Sequence, residues 1–546
     1  MSEAAARSGL RRKASPHNRG TDFDVIVVGA GINGAAIGRE AALHALRVLI
    51  LDQGDLCSGT TSWSSRLIHG GLRYLEHGEI SLVNESLDER ERLLKSAPHL
   101  VEPLGLYIPI YASGRRRPWQ IRAGMILYDL LSRRKTLPRH SMLSRETLIG
   151  RVPGLERAGL QGGAFYFDAQ VTFPERLVVE NIRDAVENGA ELGTHKRVTN
   201  LLVEHGRVRG VQWCDGAGVR GEAHAPVVVN AAGPWVDRVL GGLAPRPLLG
   251  GTKGSHLVLE SFPGAPDAAV YVEAASDGRP FFIIPWNGLY LIGTTDQRYR
   301  GDPGEAIISE EELRYLAEES RRVFPGIGDV LGKILYTQAG VRPLPYRPRR
   351  DESAITRRHI IRHHRNARGL YSVVGGKLTT HRALAEDVMA RAARYLGIRD
   401  RTSPTRARAL PGAAPPAERD SALKGLAARL GAAQAQRLWR IYGTTAEEIN
   451  ARIARAPELA REVCPHSHAM VAELIHAIEA EWAVSLIDVL QRRCMAGLSR
   501  DLGFAAADAA GEWLKRLAVW DAARAEQEIE TYRAYAARFR VPEVHR

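Results

Sequence analysis

Residues 23–52 read FDVIVVGAGINGAAIGREAALHALRVLILD. The run 23–28 is short, apolar and β-branched, which suits a strand buried on both faces of a parallel sheet. It passes straight into Gly29-Ala30-Gly31-Ile32-Asn33-Gly34 and then into an Ala-rich segment, 35–42, that reads as a helix. A second strand at 47–51 ends in Asp52, 23 positions after Gly29. In a strand–G-x-G-x-x-G–helix–strand–acid unit the first glycine makes the tight turn, the second lets backbone approach a pyrophosphate, and the third lets helix and strand pack closely. The helix start offers unpaired N–H groups and the positive end of a dipole to phosphate. Asp52 can accept from both hydroxyls of a ribose. The stretch reads as a dinucleotide-binding unit and sets the fold class, α/β with a Rossmann-like domain at the N-terminus.

Outward from this unit, 546 residues are too many for one core and suggest several domains. Hydrophobic residues at 45% and charged residues at 25% are ordinary for a globular chain and exclude wholesale disorder. No run of about 18 uncharged apolar residues occurs, so a spanning helix is not expected. Lys+Arg 75 against Asp+Glu 62 gives +13, a balance that suits nucleic acid, an anionic membrane face or a negatively charged small substrate. Cys57, Cys214, Cys464 and Cys494 are far apart and form no C-x-x-C pair, so neither a metal site nor a disulfide frame is indicated and a reducing cytoplasm is the default compartment. Residues 1–21, with Arg7, Arg11, Arg12, Lys13 and Arg19, have no hydrophobic core for a secretory signal and read as a disordered basic arm.

Further along, 79–97 reads as an amphipathic helix. In 115–135, basic residues flank Trp119, Met125, Ile126, Leu127, Tyr128, Leu130 and Leu131. That segment is either a core helix with solvated ends or a contact for an anionic membrane. Residues 176–188 read as helix, 197–213 as a hairpin through His205-Gly206, and 227–233 as a buried strand ending in small residues. The strand-rich region 250–300 reads as an antiparallel sheet inserted into the nucleotide domain. A second strand–glycine–helix join spans 370–395, with Lys377 at the helix mouth. Pro404, Pro411, Pro415 and Pro416 mark a linker, after which the chain reads as helical to its end. There Val471, Leu474, Ile475, Ile478 and Trp482 recur on one helix face. The expected organisation is a basic arm at 1–21, a nucleotide domain in three parts (22–100, 166–235, 339–398), a substrate domain in two (101–165, 236–338), a linker at 399–416 and a helical cap at 417–546. Glycines spread through 70–71, 233, 340 and 375–376 favour a flavin over a nicotinamide, because flavin lies along extended backbone.

The segments SSRLIHGGLRYLE (64–76), NAAGPW (230–235), KGSH (253–256), IGTTDQRYRGDP (292–303), AGVRPL (339–344) and GGKLTTHR (375–382) resemble the FAD-dependent glycerol-3-phosphate dehydrogenase family. EWAVSLIDVLQRR (481–493) is similar to that family's C-terminal cap. The resemblance implies FAD, and oxidation of sn-glycerol 3-phosphate to dihydroxyacetone phosphate by hydride transfer from C2 to flavin N5. It also implies electrons passed to a membrane quinone, residence at the inner face of the cell membrane, and a homodimer through the helical cap. The residues it places at FAD are Gly29, Gly31, Ile32, Asn33, Gly34, Asp52 and Ser58, then Ser65, Arg66, Leu67, His69 and Gly70, then Val198, Ala232 and Gly233, and finally Gly376, Lys377, Leu378 and Thr379. Arg73, Tyr74, His256, Arg342 and Lys377 would face the substrate.

A phosphate dianion needs donors that keep their charge, and Arg73 and Arg342 can grip it with paired N–H groups, with Tyr74 and Lys377 beside them. As hydride leaves C2, loss of the C2 hydroxyl proton wants a base near neutrality. His69 and His256 are the candidates, His69 preferred because its loop should lie against the flavin. Arg342 can alternatively stabilise developing negative charge. Cys57 offers nothing for a covalent flavin. Asp52 stands where the family commonly has Glu, residues 171–176 lack the paired acids usual there, and His381 replaces a usual Tyr. Competing readings are an oxidase that reduces O2, a dehydrogenase for another polyol phosphate, and a nucleic-acid-binding flavoprotein. For the last, only 115–135 offers basic residues interleaved with aromatics, so nucleic acid is not the expected partner.

Overall fold

The computed structural model describes residues 22–76, 78–132, 135–348, 355–400 and 402–542. The basic arm expected at 1–21 lies outside them, as do Arg133 and Arg134 of the basic-aromatic segment.

Val25–Val28, Val48–Leu51 and Val227–Asn230 are buried at every position, which is why they sit side by side in one parallel sheet. That six-stranded sheet runs in the order Ile360–His363, Leu370–Val374, Val227–Asn230, Val25–Val28, Val48–Leu51, Ala190–Gly193, with the first strand antiparallel at the edge. The helix Ile32–Leu43 packs with Pro174–Glu187 and His381–Leu396 on one face. It can lie close because Gly34 has no side chain: a Cβ there would stand 1.8 Å from the Gly29 carbonyl oxygen. The other face is covered by a three-stranded meander, Lys196–Glu204, Arg207–Asp215 and Arg220–His224. The hairpin expected at 197–213 is its first pair, turned by His205 and Gly206 at φ 48° and 70°.

The substrate domain is one large curled sheet built around Val101–Tyr111, Leu160–Val171, Thr252–Leu259, Ala269–Glu273, Pro280–Trp286 and Leu289–Gly293. It is antiparallel except at one join, where Ala269–Glu273 runs parallel to Val101–Tyr111. Leu160–Val171 and Ile334–Arg342 both belong to this sheet, so the boundaries expected at 165/166 and 338/339 fall inside strands. For Leu160–Val171 alternation alone does not reveal this, because the strand starts in the curled sheet's core at Leu160 and ends in the nucleotide domain's at Ala169 and Val171.

The C-terminal part is all helical from Pro416–Leu430 to Ala522–Ala537. The linker expected at 399–416 is packed, not loose. Arg39 donates to the Arg408 and Ala409 carbonyls and pairs with Asp184, and Leu410 is buried in the nucleotide domain's core. Val471 and Leu474 are buried on the helix Val471–Ala480, but Trp482 lies two residues beyond its end and packs on the nucleotide domain's core instead. Among the described residues no helix is long and apolar enough to cross a membrane.

Candidate active site

Two adjoining cavities open where the nucleotide sheet meets the curled sheet. The first, about 370 Å³, is walled by Gly29, Gly31, Ile32, Asn33, Asp52, Ser58, Val198, Ala232, Gly233, Gly376, Lys377 and Leu378. Ile32–Leu43 starts there without a side-chain cap, so its dipole end faces the cavity. Asp52 sits at the carboxyl end of its strand, its Oδ2 accepting from the Ala30 N–H at 2.6 Å and its Oδ1 from the Gly54 N–H at 2.9 Å. Asn33 Oδ1 is buried with no partner. An uncapped helix mouth, an anchored acid and an orphaned amide oxygen fit the diphosphate and ribose of FAD. Trp235, the last residue of the 230–235 motif, lines this cavity too, as do Lys196, Arg197 and Arg238, which had no motif to announce them.

The second cavity, about 290 Å³, is walled by Ser65, Leu67, His69, Tyr74, His256, Arg342 and Thr379, and shares Gly376, Lys377 and Leu378 with the first. One cross-strand row of the curled sheet builds its floor: His256 is opposite Gly293, Gly293 opposite Phe282, and Phe282 opposite Tyr271. Gly293 makes the row possible, since a Cβ there would stand 2.6 Å from the His256 ring. His256 Nε2 lies 2.9 Å from Ser65 Oγ, and its Nδ1 is buried without a partner. Across the cavity, His69 stands edge-on to Phe282, with ring centroids 6.4 Å apart. Burial, then the charges of Arg342 and Arg66, pushes His256 down to about 3. Burial, then Lys377 and Arg90, does the same to His69, also to about 3. Both imidazoles are therefore neutral near pH 7, but burial makes them far weaker bases than the near-neutral group expected from the chemistry; of these groups only Lys377 lies near that value.

The 69–71 loop is held from beneath. Lys377 Nζ donates to the carbonyls of His69 (3.1 Å) and Gly70 (3.3 Å) and to Ser86 Oγ (2.9 Å), and lies 4.8 Å from the centre of the Tyr74 ring. Burial lowers this ammonium to about 7. The Gly70 N–H donates to Tyr128 Oη, which in turn donates to Asp168. Gly70 and Gly34 thus shape the site from behind its walls.

At the mouth, Arg342 Nη1 donates to Asp296 Oδ1 at 3.1 Å and Nη2 to Thr294 Oγ1 at 2.9 Å. Arg357 Nη2 donates to Asp296 Oδ2 at 2.9 Å, and Arg279 reaches the Asp296 carbonyl. Burial would lift the Asp296 carboxyl, but Arg342 and Arg357 outweigh it and hold it below the ordinary range. Three guanidinium groups against two carboxylates, Asp296 and the Asp277 that pairs with Arg279 at 3.2 Å, leave this mouth cationic. Sequence reading missed Arg279, Arg357 and Asp296. Asp296 was visible in the 292–303 segment, whereas nothing local marks Arg279 or Arg357.

Arg66 does not serve the cofactor through its side chain. It is fully buried, forks onto Glu175 at 3.0 and 3.1 Å, and lies 4.5 Å from the centre of the Trp286 ring. Glu175 is its counter-ion. The Arg73 side chain lies outside what the structure describes, although its backbone lies in the turn Leu72–Leu75.

The FAD dependent oxidoreductase family matches residues 24–391, and the C-terminal domain of alpha-glycerophosphate oxidase matches 403–525. A Synechocystis glycerol-3-phosphate dehydrogenase is 40% identical over 545 residues, covering 97% of this chain and 99% of the relative. An aerobic glycerol-3-phosphate dehydrogenase of Staphylococcus haemolyticus is 34% identical, covering 70% of this chain and 69% of the relative. The chain belongs to the FAD-dependent glycerol-3-phosphate dehydrogenase family. Its cofactor is FAD. The solved glycerol-3-phosphate dehydrogenase of Bacillus halodurans, a complex with FAD, superposes with a TM-score of 0.78 at 25% identity, covering 96% of each chain. An L-alpha-glycerophosphate oxidase from Mycoplasma pneumoniae shares the fold over 69% of this chain and 94% of its own length, with a TM-score of 0.56.

Proposed function

We propose that this enzyme oxidises sn-glycerol 3-phosphate to dihydroxyacetone phosphate and passes the electrons to a membrane quinone. The observation that carries the reading is the second cavity, where two neutral imidazoles stand beside a cationic mouth and adjoin the cofactor cavity. FAD supplies the hydride acceptor for C2 at flavin N5. Arg342, with Arg279 and Arg357, binds the phosphate end by charge-assisted hydrogen bonds, each worth about 1.5–3 kcal/mol. Tyr74 closes the same end and Arg73 is assigned there by its place in the motif, whereas Lys377, whose three N–H groups go to His69, Gly70 and Ser86, holds the loop rather than the phosphate. His69 takes the C2 hydroxyl proton, because its ring lines the cavity on a loop fixed by Lys377 and Tyr128. His256, engaged by Ser65, orients the hydroxyl from the sheet side.

The membrane reading rests on the helix Pro118–Leu131. Met125 and Tyr128 are buried, while Trp119 (66% exposed), Leu130 (52%), Ile126 (46%) and Leu127 (38%) present an outward apolar face. Exposed Arg117, Arg122 and Arg139 flank it. Aromatic and aliphatic side chains bordered by arginine suit an anionic lipid interface. The buried Met125 and Tyr128 suit the core-helix reading, and the exposed apolar face supports the membrane reading.

The deciding experiment adds sn-glycerol 3-phosphate to the purified yellow protein without oxygen. Bleaching of the flavin band with formation of dihydroxyacetone phosphate supports the reading, and bleaching only by a different polyol phosphate defeats it. Peroxide yield against reduction of a quinone analogue then assigns the acceptor.

A further inference from the structure

The loop 52–58 contributes Asp52, Gln53 and Ser58 to the cofactor cavity. At its centre Asp55, 1% exposed, turns to the C-terminal helical domain. Its Oδ2 accepts from Arg492 Nε at 2.7 Å and Arg493 Nη1 at 2.9 Å, and its Oδ1 from Arg493 Nη2 at 2.7 Å. Arg493 Nε is anchored on the Glu481 carbonyl at 2.8 Å. Arg492 Nη2 donates to Asp488 Oδ1 at 2.7 Å, and Asp488 Oδ2 lies 3.3 Å from His195 Nε2. The His195 N–H then donates to the Gly54 carbonyl at 2.8 Å, and the Lys196 N–H to the Asp52 carbonyl at 2.7 Å.

These contacts form a closed ring. It leaves the loop at Asp55, passes through Arg492 and Asp488 of the helical domain and then His195, and returns to the loop at Gly54, while Arg493 braces Asp55 from the Glu481 carbonyl. Among the described residues, the helical domain contributes no wall to either cavity. Asp55, Asp488 and His195 converge closely enough to ligate a cation, but the guanidinium groups of Arg492 and Arg493 already occupy the carboxylates.

We propose that Arg492 and Arg493 are positioning residues for the cofactor: the helical domain sets FAD affinity by holding the 52–58 loop in its binding geometry. The proposal rests on FAD occupying the first cavity. A loop ordered in advance removes its ordering cost from binding, so affinity depends on groups that never touch the ligand. The buried ring supplies that order, since a carboxylate in a dry site stays where its paired charges hold it.

The test uses the full chain stripped of FAD and titrated with it by flavin fluorescence quenching, with release rates measured after dilution. Asp55→Asn is expected to raise the FAD Kd tenfold or more. Arg492→Lys and His195→Gln should raise it threefold or more, and Asp55→Glu should recover part of the loss. The KM for sn-glycerol 3-phosphate of the FAD-saturated variants should stay within twofold of wild type. Lower thermal midpoints with FAD release unchanged would indicate a merely structural cluster and overturn the proposal. Should Asp55→Asn fail to fold, Arg492→Lys and His195→Gln decide, and unchanged release in both overturns it. A wild-type chain that binds no FAD would overturn it together with the cofactor assignment, an outcome plainly distinct from the others.

Discussion

Asp296 Oδ1 accepts a hydrogen bond from Arg342 Nη1 at 3.1 Å, placing an acid inside the cationic mouth. The acid orients Arg342 and cancels part of its charge. Arg342→Met therefore removes both an anion contact and the partner of Asp296. The expected outcome is a fall in kcat/KM of about a hundredfold, from the loss of one or two charge-assisted hydrogen bonds of about 1.5–3 kcal/mol each. Asp296→Asn should raise KM several-fold with kcat nearly unchanged, because Arg342 and Arg357 lose their orienting charge. Steady-state kinetics on both variants checks this, and an unchanged KM in both would remove the arginines from substrate binding.

The two histidines make predictions of different size for chemistry and of the same sign for stability. His69→Asn should lower kcat by about a hundredfold or more, within the usual reach of a general base. His256→Asn, which keeps a polar group facing Ser65, should cost about tenfold. For stability, both imidazoles protonate near 3 when folded and near 6.5 when unfolded. Between those values the unfolded chain binds more protons, so stability rises with pH there and is lost as pH falls from about 6.5 toward 3. Acid unfolding followed by circular dichroism should begin at lower pH in His256→Asn than in wild type.

Glu175 is the counter-ion of a fully buried arginine. Glu175→Gln leaves the Arg66 charge without its carboxylate, a loss of about 3–5 kcal/mol. A clearly lower thermal midpoint is expected, with the flavin spectrum of the remaining folded protein unaltered. Equal melting of variant and wild type would contradict the pairing.

Trp119→Asp combined with Leu130→Asp should abolish co-sedimentation with phosphatidylglycerol vesicles while leaving dye-linked turnover within twofold. Both side chains are exposed, so the fold bears little cost. Undiminished vesicle binding would remove the helix Pro118–Leu131 from the membrane contact.

Local order along the chain was sufficient for the nucleotide unit. Residues 23–52 carry a strand, a glycine turn, a helix and an acid in continuous sequence, so short-range sterics and burial settle their arrangement without help from elsewhere. The same holds for the 197–213 hairpin and for the glycine-rich segments that line the cavities. What lay beyond reach are pairings between distant segments. Arg66 reads as a cofactor residue because its neighbours are, yet Glu175 takes it, more than a hundred positions away. Trp482 carries the helical spacing but stands past the helix end and serves another domain's core. Arg279, Arg342 and Arg357 converge on Asp296 only because separate segments meet at the mouth of one cavity. Sequence alone determined the nucleotide unit, because backbone geometry demands its glycines and acid at fixed spacing, while a resemblance in six motifs pointed to the family and, through it, to FAD. Tertiary structure decided which charges face the ligand and which are buried as counter-ions, because a guanidinium goes to whichever carboxylate the fold brings within about 3 Å.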